Sequence, residues 1–182
     1  MLKVGCCGYP VNRRKYQETF GTVELNSTFY KYPKPQTVEK WRREAPRSFE
    51  FTVKAYQDIT HKFKMNLVQA HESLEKLKEV CRLLESKILL FQTPASLKPD
   101  KIMEVKRFFE QTDRGNLTLV WEPRGPLWEI SETREKLRTV LEELDVSHVT
   151  DPFRSMPIYT GKVVYLRLHG CGERMYYYQN TG

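Results

Sequence analysis

The sequence predicts an α/β fold, a parallel β/α barrel of about seven strands. Two observations carry that expectation. Short apolar runs without polar alternation recur between helical segments, as strands buried on both faces require. Five of them (TVELNSTFY, FEFTVKAYQDITH, ILLFQTP, LTLVWEPR and VVYLRLHG) break off into a charged, amide or imidazole side chain. Barrel enzymes collect their chemistry at that end of the strands. A third observation favours a barrel over an open doubly wound sheet: GCCGYP has neither the dinucleotide-binding fingerprint nor the terminal lysine of a P-loop.

The elements follow in order. LKVGC predicts the first strand, and RRKYQETF a short helix burying Tyr16 and Phe20. TVEL is the second strand. In QTVEKWRREA, Val38, Trp41 and Ala45 recur at helical spacing between Pro35 and Pro46. FEFTVK is the third strand, followed by a long loop, AYQDITHKFKMN. A helix then runs from about Ser73 to Ser86, with Leu74, Leu77, Val80, Cys81 and Leu84 on one face. KILLF is the fourth strand. Pro99 and Asp100 open a helix whose buried stripe is Ile102, Val105, Phe108 and Phe109. LTLVWE is the fifth strand, and SETREKLRTVLEEL a helix capped by Ser131. SHVT is a short sixth strand and VVYLRLH the seventh.

The chain has 182 residues, 40% hydrophobic and 29% charged, enough to bury one sizeable core as a single domain. Its formal charge of +7 makes anionic partners plausible, although alternating signs in WRRE and EKLKEVCRLLESK read as solvated helix faces. The apolar runs are too short to span a bilayer, and MLKVGCCGYP carries no signal-peptide pattern, which predicts a cytoplasmic protein without membrane attachment. Cys6, Cys7, Cys81 and Cys171 do not make a disulfide scaffold and read as free thiols.

The strand ends supply the candidate site. Glu24 and Asn26 alternate on one face of the second strand, and a carboxylate inside an apolar strand needs either a partner or a task. Tyr30 follows in the same segment, whose small hydroxyls would also suit a turn. Lys54 ends the third strand, where a buried amine serves as an anion ligand, a base or a Schiff-base nucleophile, or else forms a salt bridge to Glu24 or Glu122. His61 fits a metal ligand, a general base or a loop-fastening group. Gln92 fits an orienting hydrogen bonder. Glu122 and Arg124 flank Pro123, and Asp151 follows the sixth strand. Arg167 and His169 alternate onto one face before Gly170, a pair suited to phosphate or carboxylate. Catalytic roles fall to Glu24, Lys54, His61, Glu122 and His169, and substrate binding to Asn26, Tyr30, Gln92, Arg124 and Arg167. The acids and histidines have the ligand types for a divalent metal, but there is no HExxH and no paired CxxC. The Tyr176-Tyr177-Tyr178 run suits ring stacking or an interface.

The combination GCCGYP, TVELNSTFY, FTVKAYQDITH, LLFQTP, WEPR and YLRLHG resembles the YecE-like family, a domain of unknown function (number 72) with a TIM-barrel-like fold. The resemblance covers nearly the whole chain. Its relatives often carry a Ser-Gly-Trp type of segment where this chain has Cys6-Cys7-Gly8-Tyr9. They also continue beyond the RLHG region, so the resemblance implies that the last barrel unit is missing from residues 1–182, leaving an edge that a homo-oligomer would cover. Family membership implies no activity. Three readings stay open: a hydrolase-like enzyme acting on a phosphorylated substrate, nucleic acid included; a non-catalytic nucleic-acid-binding or adaptor protein; and a sugar- or metabolite-transforming barrel.

Overall fold

A computed structural model describes residues 1–170. The helices are α1 (Arg13–Thr19), α2 (Ser27–Tyr30), α3 (Pro35–Glu44), α4 (Leu67–Leu84), α5 (Ile102–Gln111) and α6 (Ser131–Leu144). The strands are β1 (Thr22–Leu25), β2 (Glu50–Lys54), β3 (Ile88–Thr93), β4 (Thr118–Pro123) and β5 (Ser147–His148). They form one parallel sheet in the order β1-β2-β3-β4-β5, so each strand pairs with its neighbour in the chain. Among the described residues, no helix is long and apolar enough to cross a membrane.

Among the described residues, the expectation of about seven strands is corrected to five. The first and seventh runs each reach the sheet through one isolated bridge, Cys7 to Glu24 and Thr150 to Leu166. The cause is local in both cases. After Cys7, Gly8 adopts φ +94° and turns the chain out of the strand direction. At the other edge the backbone turns at Asp151, whose carbonyl accepts from Arg154 N at 2.9 Å, so only Thr150 is left to receive Arg167 N at 3.0 Å. The outward side chains of the seventh run stay uncovered, with Val164 62% and Leu168 67% exposed.

Two helix starts also differ from the sequence expectation. α4 begins at Leu67 rather than near Ser73, because Asn66 Oδ1 accepts from Gln69 N at 3.1 Å and caps it there. Ser131 lies inside the first turn of α6, whose cap position is Ile130.

Strand alternation divides the interior into two layers. Val23, Leu25, Phe51, Val53, Leu89, Phe91, Leu119 and Trp121 face the helices and join Tyr16, Val38, Leu77, Phe108, Phe109 and Leu141 in the main core. The alternate positions face the opposite side, where Leu90, Val120 and Val149 form a small apolar floor with Ile88, Val163 and Tyr165 packed on it. One step further along each strand the same face turns polar: Glu24, Lys54, Gln92, Glu122, Asp151 and Arg167. Arg167, bound at the β5 edge, touches Glu24 on β1, so the sheet curls into a barrel-like wall.

Candidate functional site

Arg167 is the centre of the polar layer. Only 8% of the residue is exposed, and its guanidinium is saturated by acceptors. Nε donates to Glu24 Oε2 at 2.9 Å and Nη2 to Glu24 Oε1 at 2.9 Å, a bidentate fork. Nη1 donates to Glu122 Oε2 at 2.6 Å and to Gln92 Oε1 at 3.3 Å, and Nη2 faces Cys7 Sγ at 3.4 Å. Burial works against its charge, but Glu24 and Glu122 outweigh that and push its pKa further up. Tyr165 donates its hydroxyl to Glu24 Oε2 at 3.0 Å, and burial, then Glu24, holds that phenol protonated. Cys7 is exposed as a residue, yet burial of its sulfur and the nearby Glu24 push the thiol up.

The second half of the site joins β4 to the seventh run. Arg124 Nη2 lies 2.6 Å from Glu122 Oε1 and 2.6 Å from His169 Nε2. Arg167 Nη1 also approaches His169 Nε2, at 3.4 Å. A guanidinium only donates, so Nε2 is the acceptor and the ring proton sits on Nδ1, which faces Asp151 Oδ2 at 3.3 Å. His169 is therefore neutral, its pKa lowered by burial and then by Arg124. Burial opposes the Asp151 charge, but the backbone N–H groups of His169 and Phe153 donate to it at 2.9 and 3.0 Å and hold its pKa below the usual range.

Lys54 is held differently. It is 7% exposed, and among the described residues its ammonium has no hydrogen bond and no ion pair. The expected salt bridge to Glu24 or Glu122 does not form. Nζ instead lies 4.3 Å from the Phe29 ring centroid. Burial, and then the Arg167 charge, lowers its pKa to about 8, with Glu24 and Glu122 opposing. Its position is fixed by backbone: Thr28 Oγ1 lies 2.6 Å from Leu25 O and 2.7 Å from Lys54 O, tying the ends of β1 and β2 together. His61 packs edge-on against the same aromatic, 4.9 Å between ring centres, with Nδ1 2.8 Å from Thr60 Oγ1. Burial, then the charge of Lys54, lowers its pKa as well.

The structure thus gathers Glu24, Lys54, Gln92, Glu122, Arg124, Arg167 and His169, with His61 one ring away. Two candidates fall outside. Tyr30 is 63% exposed and leans on Phe29. Asn26 does not continue the strand face beside Glu24; it starts α2, with a buried Oδ1 that has no hydrogen-bond partner. Tyr165 and Cys7 were missed as members. The alternation Tyr165, Arg167, His169 carried the signal for the first, and the place of Cys7 at the end of the first strand, which a barrel brings towards the seventh, carried it for the second. Among the described residues, no group of three His, Cys, Asp or Glu side chains is arranged to hold a metal ion. Cys171 and Tyr176 to Tyr178 lie outside the described residues. Beside Glu122 and His169 a cavity of about 720 Å³ opens between the ends of β4 and β5.

Residues 11–182 match the family described as protein of unknown function DUF72. A curated relative, the UPF0759 protein YunF of Bacillus subtilis (strain 168), is 44% identical over 45 residues, which span 25% of this chain and 16% of that protein. Among solved structures, a DUF72 family protein of Enterococcus faecalis V583 superposes with a TM-score of 0.76 at 20% identity, covering 93% of this chain and 74% of that one. A DUF72 family protein of Thermotoga maritima MSB8 gives 0.60 at 22% identity, covering 88% of this chain and 65% of that one. At these identities the two structures share the fold with this chain.

Proposed function

The chain belongs to the DUF72 family, and from that premise we propose that its strand-end rim is the active site of a hydrolase-like enzyme acting on a phosphorylated substrate. One observation carries this reading: Lys54 is buried at the end of β2, and among the described residues no group accepts from its ammonium. A lysine kept for structure is buried against a carboxylate, and two carboxylates were close enough to recruit. Both are committed to Arg167 instead. With its pKa near 8, about one amine in ten is unprotonated at pH 7, against about one in 2,500 for an ordinary lysine.

A neutral amine at that position is a proton acceptor. In the proposed reaction Lys54 takes a proton from water as its oxygen bonds to phosphorus; the ester P–O bond breaks, and the Lys54 ammonium returns the proton to the departing oxygen. Neutral His61, across the Phe29 ring, passes protons between Lys54 and solvent. Glu122 and Arg124 orient the substrate from the opposite wall, and the Arg167 cluster keeps both walls in register. The excess of basic residues over the whole chain favours an anionic substrate reaching the rim.

The test is phosphate release from p-nitrophenyl phosphate by wild type and Lys54→Met, together with titration of the Lys54 amine by NMR. Turnover lost in the variant and an amine titrating near 8 are expected. An amine titrating near 10.4, or release unchanged in Lys54→Met, removes the reading. Salt-dependent binding of nucleic acid without turnover would put the adaptor reading ahead.

A further inference from the structure

We propose that the cavity between the ends of β4 and β5 is a binding subsite for a phosphate monoester, with Arg154, Thr150 and Ser155 as its ligands. The inference rests on the hydrolase reading above and places the phosphoryl group beside Glu122 and His169, which line the same cavity. At about 720 Å³ the space suits a small molecule rather than a duplex.

Three arginines line it, and they are not equivalent. Arg124 is held on Glu122 at 2.6 Å, and Arg134 on Glu129 and on Met156 O, both at 2.9 Å. Arg154 is exposed and, among the described residues, forms no ion pair. The three carboxylates in the wall, Glu122, Glu129 and Asp151, already accept from Arg167 and Arg124, from Arg134, and from the His169 and Phe153 amides. Glu122 and Glu129 meet an incoming anion with their charges paired to arginines, and the Asp151 charge is stabilised by the two amides. Among the described residues, Arg154 supplies the cation without an ion pair.

Thr150 provides the independent observation. It is 6% exposed and lines the cavity, and among the described residues its buried hydroxyl has no hydrogen-bond partner. Buried hydroxyls are hydrogen-bonded as a rule, and a guest in the cavity would supply the partner this one lacks. Ser155, also in the lining, brings a second hydroxyl. The turn that carries Arg154 and Ser155 is fixed, because Asp151 O accepts from both backbone amides at 2.9 and 3.1 Å. The Asp151 carboxylate ties that turn to His169 on the rim. A monoester dianion has three terminal oxygens for one guanidinium and two hydroxyls; a diester has two.

Isothermal calorimetry on the full chain at fixed ionic strength tests this, with inorganic phosphate, methyl phosphate and dimethyl phosphate as probes. Wild type is expected to bind the first two more tightly than dimethyl phosphate. Arg154→Ala should weaken methyl phosphate about tenfold and Thr150→Val about threefold or more, while Glu132→Gln, on the exposed face of α6, stays within about twofold. Methyl phosphate affinity unchanged in both Arg154→Ala and Thr150→Val, or no monoester binding by wild type, overturns the subsite. Turnover that depends on Lys54 with no effect of Arg154→Ala on binding removes the subsite and leaves the hydrolase reading. Binding that depends on Arg154, beside a Lys54 amine titrating near 10.4, keeps the subsite and removes the hydrolase reading.

Discussion

The two cations of the strand-end rim are treated in opposite ways. Arg167 comes to rest with every edge of its guanidinium matched, by Glu24, Glu122, Gln92 and Cys7. Lys54, on the next strand from Glu24, is as deeply buried and, among the described residues, has only an aromatic face. Saturation makes the arginine a fastener: moving it would strand Glu24 in low dielectric and leave Glu122 to Arg124. Starvation makes the lysine a reagent, because the charge it is denied is the charge it gives up. A rim that merely held the barrel shut would have no reason to leave one of its two deepest cations without a carboxylate among the described residues.

The largest expected effect breaks the fastener. Arg167→Met leaves Glu24 buried without its cation and Glu122 with Arg124 alone, and should cost about 3–5 kcal/mol in a denaturant melt at pH 7. A loss below about 1 kcal/mol would mean that the carboxylates reach water. Lys54→Met should act in the other direction, raising stability at pH 7 by about 2–3 kcal/mol. The sign follows from the pKa near 8, lowered by burial and by Arg167. Between pH 8 and about 10.4 the unfolded chain binds more protons at this lysine than the folded chain, so wild type gains stability as pH rises through that window. The advantage of Lys54→Met is therefore complete below pH 8 and fades towards pH 10.4; a gain independent of pH would contradict it. Tyr165→Phe removes one donor from Glu24 and should cost about 1–2 kcal/mol. Glu132→Gln, which breaks an exposed pair with Lys136 on α6, should leave the melting midpoint within error. Together the four variants ask whether the stability effects track burial and saturation, as the contrast demands.

The positions of the rim residues were legible because buried parallel strands announce themselves as apolar runs, and a polar side chain at the end of such a run has little choice of direction. Glu24, Lys54, Gln92, Glu122 and Arg167 were found that way. Which charge pairs with which was not legible. Arg167 read as a substrate ligand until its fork was seen closed on Glu24 and Glu122, and Lys54 read as well suited to a salt bridge it does not make. Edge strands were overestimated for a related reason: periodicity in LKVGC and VVYLRLH reports the tendency to extend, whereas a ladder also needs a straight neighbour, which Gly8 and the turn at Asp151 deny. The early start of α4 turns on one capping side chain, Asn66, that a search for apolar spacing passes over.

The central cluster also has a place in time. Arg167 meets Glu24 across 143 residues of sequence and Glu122 across 45. On the ribosome, β1 to β4 are all made before their common cation emerges, so a nascent chain that collapsed early would enclose Glu24 without its arginine and leave Glu122 to Arg124 alone. Hydration of Glu24 would favour an open inner face until residue 167 is made, while the helix-facing core is free to form first. The arginine that fastens the finished rim is among the last of its parts to be made.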